Sequence, residues 1–146
     1  QVANVPVLFE GRVQPVTRWL RTEGRRYTVE GCIALRTAQR ERILAWFGDA
    51  DLWLLPTVPV PPPLVGESAA LPPAEAFSWA ARIGPNTAPF NLTGQPAASL
   101  PAAVSSAGLP IGVQLVGRPD GDATVLAVSR QVEAERPWRG WRAGGA

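Results

Sequence analysis

The chain has 146 residues, 46% of them hydrophobic and 18% charged, with a net charge of +2. Wholesale disorder is excluded, because its signature is low hydrophobicity with high net charge, and the charge is too small to point to nucleic acid. His, Lys and Met are absent and Cys32 is the single cysteine, which excludes a Ser-His-Asp triad, a Cys-His pair, a His or multi-Cys metal site, a Lys Schiff base and an internal disulfide.

Residues 1–13 read as extended or irregular. Pro15 is expected to open a short helix to about Glu23, with Gly24 past its end. Thr28 then suits the N-cap of a longer helix over 29–47, and Gly48 its C-terminal cap. Cys32, Leu35, Ile43, Trp46 and Phe47 fall largely on one stripe, so Cys32 is expected to be a buried, inert thiol. Residues 1–42 carry 8 Arg against 4 acids, a surplus read as solvated helix faces that include Arg36 and Arg40.

The continuous apolar run Asp51-Leu52-Trp53-Leu54-Leu55-Pro56 predicts a strand buried on both faces. Residues 56–63 cannot form a helix or a central strand, because five of the eight are prolines without an N–H. Extended polyproline II backbone is expected there, within a Pro-rich internal loop over 56–73. A short helix is expected over 74–83, then a loop or short helix over 86–96 ending at Gly94. Residues 97–104 and 111–116 read as two strands, joined by a hairpin-like connection over 105–110. The final helix is expected over 122–135, with acids early and Arg late, as the helix dipole favours. Pro137 ends it, Trp138 and Trp141 are expected to pack, and 139–146 reads as a frayed tail.

Alternating helices and strands predict an α/β layer architecture with about three strands. Three strands make a poor sheet alone, so this one looks like the end of a larger one. Leu52, Leu54, Val113 and Leu115 would be left exposed without the rest. Gln1 opens no signal-peptide pattern, and no apolar run approaches the roughly 18 residues of a membrane span. The expectation is a piece of a longer, cytoplasmic protein.

Three features in this order resemble the C-terminal part of the amidase signature family. The first is the helix from Arg40 to Phe47 with its strand, Asp51-Leu52-Trp53-Leu54-Leu55-Pro56-Thr57. The second is Phe90-Asn91-Leu92-Thr93-Gly94-Gln95-Pro96-Ala97-Ala98-Ser99-Leu100-Pro101. The third is Gly108-Leu109-Pro110-Ile111-Gly112-Val113-Gln114-Leu115-Val116-Gly117, with the helix after it. The resemblance covers about residues 28–138 and is looser over 1–27. It implies one partial domain over 1–146: the C-terminal part of a mixed β-sheet flanked by helices, incomplete in this chain.

Enzymes of that family hydrolyse carboxamides, or transfer ammonia from them, without a metal. The resemblance implies a Ser nucleophile, a second Ser in a cis peptide and a Lys relay. None of these can be drawn from this chain, which has no Lys and no Gly-Ser-Ser-Gly-Gly-like stretch. Its catalytic residues would therefore lie upstream, and no cofactor or metal is implied. By position, Thr87 and Phe90 would line the acyl side of the substrate channel. Asn91 is a further channel candidate, although an amide that satisfies loose backbone groups at the following turn is favoured for it.

Gly94 and Pro96 are expected to force a tight turn into the next strand. Gly112 reads as a position of close packing. Gln114, in an apolar strand, must find hydrogen-bond partners. Trp79, Ile83 and Phe90 lean towards an apolar acyl group. The expected partners are a small amide substrate, met through the complete enzyme, and the missing N-terminal part of the fold; neither nucleic acid nor a membrane is expected. The alternatives are a non-catalytic subunit or split half that binds a complete amidase-like partner, and a Pro-rich interaction module centred on 59–63.

Overall fold

A computed structural model describes residues 13–138. Elements follow in the order α1 (Pro15–Gly24), α2 (Val29–Phe47), β1 (Leu52–Pro56), α3 (Pro73–Ala81), α4 (Ala88–Thr93), β2 (Ala97–Val104), β3 (Pro110–Gly117) and α5 (Asp122–Glu135). Local chemistry sets their ends. Proline occupies the first turn of α1, α3 and α4, where a missing N–H costs nothing. The Thr28 hydroxyl accepts the Gly31 N–H at 3.0 Å and starts α2. Gly48 stops that helix with φ 61°, a value that suits glycine best.

The strands form one antiparallel sheet in the order β1-β3-β2. Register decides which side chains share a face. Trp53 and Ala97 flank Val116, and Leu55 and Ser99 flank Gln114. Against that face α2 and α4 lay Phe47 and Phe90, and these make the core with Val116, Trp53 and Leu55. Phe47 stacks on Trp53 at 4.5 Å, and Trp53 meets Phe90 edge-on at 6.4 Å. On the opposite face α5 packs over β2 and β3 through the buried Val125. Away from the sheet, α1 and α3 pair through Trp19 and Phe77, whose rings lie 5.6 Å apart.

Three expectations are corrected. First, β1 is not buried on both faces, since Leu54 is 68% exposed. Helix α5 packs mainly on the other two strands and leaves Leu54 uncovered on that side. Second, Leu115 is buried, and Leu52 and Val113 are half-buried, so of the four leucines and valines expected to be exposed only Leu54 is. Third, Cys32 is exposed. Helix α2 buries Phe47 alone, while Val29, Ile33, Leu35 and Trp46 also face outwards. Its main packing partner is the six-residue α4, too short to cover a helix of 19 residues. Trp141 and the tail over 139–146 lie outside the described residues. No helix among the described residues is long and apolar enough to cross a membrane.

Candidate functional site

The loop leading into α4 is tied to the sheet by side-chain amides. Asn86 Nδ2 donates to the carbonyl of Pro56, at the end of β1, at 2.8 Å. Gln114 Nε2, buried on β3, donates in turn to the Asn86 carbonyl at 2.9 Å. Thr87 follows directly, half-buried, with its hydroxyl donating to the Gly84 carbonyl at 3.1 Å. One strand end, one loop and one buried strand residue are thereby locked together.

Next to this lock, the hydroxyls of Thr57 and Ser99 lie 2.7 Å apart. They meet over Gly112, where an added Cβ would stand 3.0 Å from Thr57 Oγ1 and 3.2 Å from Ser99 Oγ. Glycine is what lets both hydroxyls approach the strand so closely. The Thr57 N–H donates to the Gly112 carbonyl at 3.0 Å, extending the pairing of β1 one residue past its end.

At the other end of α4 the turn is held from three sides. Gly94 takes φ 72° and its N–H donates to the Phe90 carbonyl at 2.9 Å. Arg40 and Arg36 of α2 reach across and donate to the carbonyls of Thr93 (3.2 Å) and Leu92 (3.4 Å). Gln95 Nε2 donates to the Gly117 carbonyl at 2.7 Å, and the Gly117 N–H to the Pro96 carbonyl at 2.9 Å. Buried Gln95 Oε1 has no hydrogen-bond partner among the described residues.

The residues singled out from the sequence take the following places. Phe90 is 6% exposed and belongs to the core between α4 and the sheet. Asn91 is exposed, and its amide makes no hydrogen bond among the described residues; Gln95 and the two arginines satisfy the turn instead. Arg36 and Arg40 are not merely solvated. The unpaired carbonyls at a helix C-terminus attract cations, and α2 carries these two alongside. Thr87, Asn86 and Gln114 come together; Gly94 and Pro96 lie at the far end of α4.

Sequence reasoning missed Asn86, Thr57, Ser99 and Gln95 as a polar set. The signal for Asn86 was its place after Gly84-Pro85, where an amide commonly satisfies turn backbone. Ser99 and Thr57 gave no such signal, because only the β1-β3-β2 order brings them together.

A separate cavity of about 330 Å³ lies under the Pro-rich loop. It is lined by Val60, Pro61, Pro62, Pro63, Leu64, Glu67, Trp79, Arg82 and Ile83. The Glu67 carboxylate shapes it by accepting the Leu64 N–H at 3.0 Å and the Trp79 indole N–H at 3.3 Å. Trp79 and Ile83 line this cavity, while Thr87, Phe90 and Asn91 do not.

Chemically, these residues bind and shape. The Thr57–Ser99 hydroxyl pair has no His or Lys in the chain to activate it. Among the described residues no group of three acidic, Cys or His side chains could hold a metal.

Known proteins give this geometry a lineage. Residues 14–126 match the Amidase family. The Mycobacterium tuberculosis protein AmiB2 is 35% identical over 130 residues, which are 87% of this chain and 28% of that protein. A glutamyl-tRNA(Gln) amidotransferase subunit of Geobacter metallireducens is 37% identical over 110 residues, 75% of this chain and 22% of its own length. The solved structure of 6-aminohexanoate cyclic dimer hydrolase superposes with a TM-score of 0.76 at 30% identity, over 94% of this chain and 31% of its own. The chain thus spans under a third of the length of these relatives. It is a member of the amidase family and carries part of that family's α/β fold.

Proposed function

We propose that this chain is the C-terminal portion of an amidohydrolase that cleaves carboxamide C–N bonds through a Ser-cisSer-Lys set supplied upstream. In that scheme a Ser Oγ attacks the amide carbonyl and the amine leaves with a proton. Water then releases the acid from the acyl-enzyme. The observation that carries the proposal is the family match over 14–126, together with the likeness to a hydrolase over nearly the whole chain. The absence of Lys from all 146 residues supports a proton relay supplied from upstream.

This portion would serve as sheet, covering helices and one wall. The lock of Gln114, Asn86 and Pro56 fixes the loop that carries Thr87, and Thr87, Phe90 and Asn91 remain the channel candidates. The lean of Trp79, Ile83 and Phe90 towards an apolar acyl group on a small amide substrate rests on residue type, since the cavity that Trp79 and Ile83 line also carries Glu67 and Arg82.

Two measurements test the proposal. Purified chain should turn over neither a simple aryl amide nor 6-aminohexanoate cyclic dimer; measurable hydrolysis by the chain alone would overturn the upstream placement. The reading frame ahead of the Gln1 codon should encode a Gly/Ser-rich stretch and a Lys on an apolar strand. A frame without them would sink the amidohydrolase reading.

A further inference from the structure

We infer that the cavity under the Pro-rich loop is a binding site for a small monocarboxylate with an apolar body, whose carboxylate pairs with Arg82. The inference goes beyond the amidohydrolase reading and does not rest on it. All nine lining residues fall within 60–83, so the chain itself builds these walls from one continuous stretch.

The walls are apolar and preset. Pro61, Pro62 and Pro63 form one of them, and each has a fixed φ. Beyond them the loop turns back, with the Glu67 N–H donating to the Leu64 carbonyl at 3.1 Å. The Glu67 carboxylate then reaches two ways. Its Oε2 accepts the Leu64 N–H, and its Oε1 accepts the Trp79 indole N–H. The loop is thereby fastened to α3, and a cavity held in this way has little left to order when a ligand enters. Its volume of about 330 Å³ stands near the lower end for small-molecule sites, which favours a compact ligand.

Donor chemistry selects the ligand. The three prolines have no N–H. Of the lining side chains only Trp79 and Arg82 carry donors, and the indole N–H goes to Glu67. Arg82 is the C-cap residue of α3. Among the described residues its guanidinium makes no hydrogen bond and no ion pair. A planar cationic fork beside apolar walls matches a carboxylate, which takes two parallel N–H···O bonds. Glu67 lines the same cavity and limits the charge that enters: it repels a second negative charge, so a phosphate dianion is disfavoured. The prolines, Trp79 and Ile83 are left to cover an aliphatic or aromatic body.

The test is isothermal titration calorimetry on the purified 146-residue chain with hexanoate, hexanamide, hexylammonium and inorganic phosphate. Hexanoate should bind saturably, one per chain. Hexanamide, which keeps the body and loses the charge, should bind about tenfold more weakly. Arg82→Gln should weaken hexanoate by about tenfold and bring it level with hexanamide, while Arg82→Lys, which keeps the charge without the fork, should lose only a few-fold. Arg82 is exposed, so circular dichroism should show native secondary structure in both variants. Arg130→Gln, at an exposed position on α5, is the control for general surface charge and should change binding by less than about twofold. The comparison of the four ligands on the wild type needs no variant and decides the matter should Arg82→Gln disturb the fold. No saturable hexanoate binding overturns the inference. So does hexylammonium bound as tightly as hexanoate, phosphate bound more tightly, or hexanoate binding that is indifferent to Arg82→Gln. Each of these outcomes leaves the amidase reading standing.

Discussion

Gln114 shows how one buried amide organises a neighbourhood. It is 5% exposed in a strand otherwise apolar, and its side chain ends on the Asn86 carbonyl. Gln114→Leu keeps the volume and orphans that carbonyl, at a cost of about 1–3 kcal/mol. The urea midpoint of the chain should fall accordingly, and proteolysis should attack the loop over 84–87 sooner. An unchanged midpoint and cleavage pattern would refute the lock. Gly117 is as tightly placed, because an added Cβ would lie 2.7 Å from Val125 Cγ2 and 3.2 Å from Pro96 Cγ. Gly117→Ala should therefore push α5 off the sheet and cost about 1–3 kcal/mol by overpacking. The same substitution at Gly24, with nothing within 4 Å, is the control and should not lower the midpoint by steric conflict.

The strands hold one another along their length, whereas helix α4 depends on contacts made at its C-terminal end and by a single anchor. The short α4 is marginal by itself, since helices of so few turns gain little from their own hydrogen bonds. Phe90 anchors it below, and Arg36 and Arg40 cap it from α2. Arg40→Ala should loosen the C-terminal turn of α4 and cost about 0.5–1.5 kcal/mol. Hydrogen exchange at the Gly94 N–H should quicken while the centre of α2 stays as it was. Equal exchange in both proteins would mean the guanidinium contributes nothing there. Much of this layout is readable from residues alone: Thr28 before α2, Pro15 at the head of α1 and Gly94 after α4 are local signals with local effects. The reach of Arg40 across 53 residues to the Thr93 carbonyl is not such a signal.

At the scale of the molecule, the apolar surface is unevenly spent. One face of the sheet has a core of Phe47, Phe90 and Val116, while Ile33, Leu35, Trp46 and Leu54 face outwards. Burying each such side chain is worth about 1.5–3 kcal/mol, so the bare surface is a large unused driving force for association. The isolated chain should bind a dye such as ANS, and Trp46→Ser with Leu54→Ser should lower the signal. A dark chain, or a signal indifferent to those substitutions, would contradict the exposure of this surface.

From residues alone, the order of helices and strands, the placing of Thr28, Gly48 and Gly94 at helix ends, and the family likeness could be read, because each depends on neighbours a few positions away. Composition likewise settled that no Lys or His chemistry resides in the chain. The tertiary structure decided what depends on distant pairing. The β1-β3-β2 order brings Thr57 to Ser99, Gln114 to Asn86 and α5 over two strands of three. Periodicity assigned Cys32 to a buried side and Leu54 to a doubly covered strand. Whether a face is buried depends on which element lies against it, and that is a property of the packing and not of the pattern.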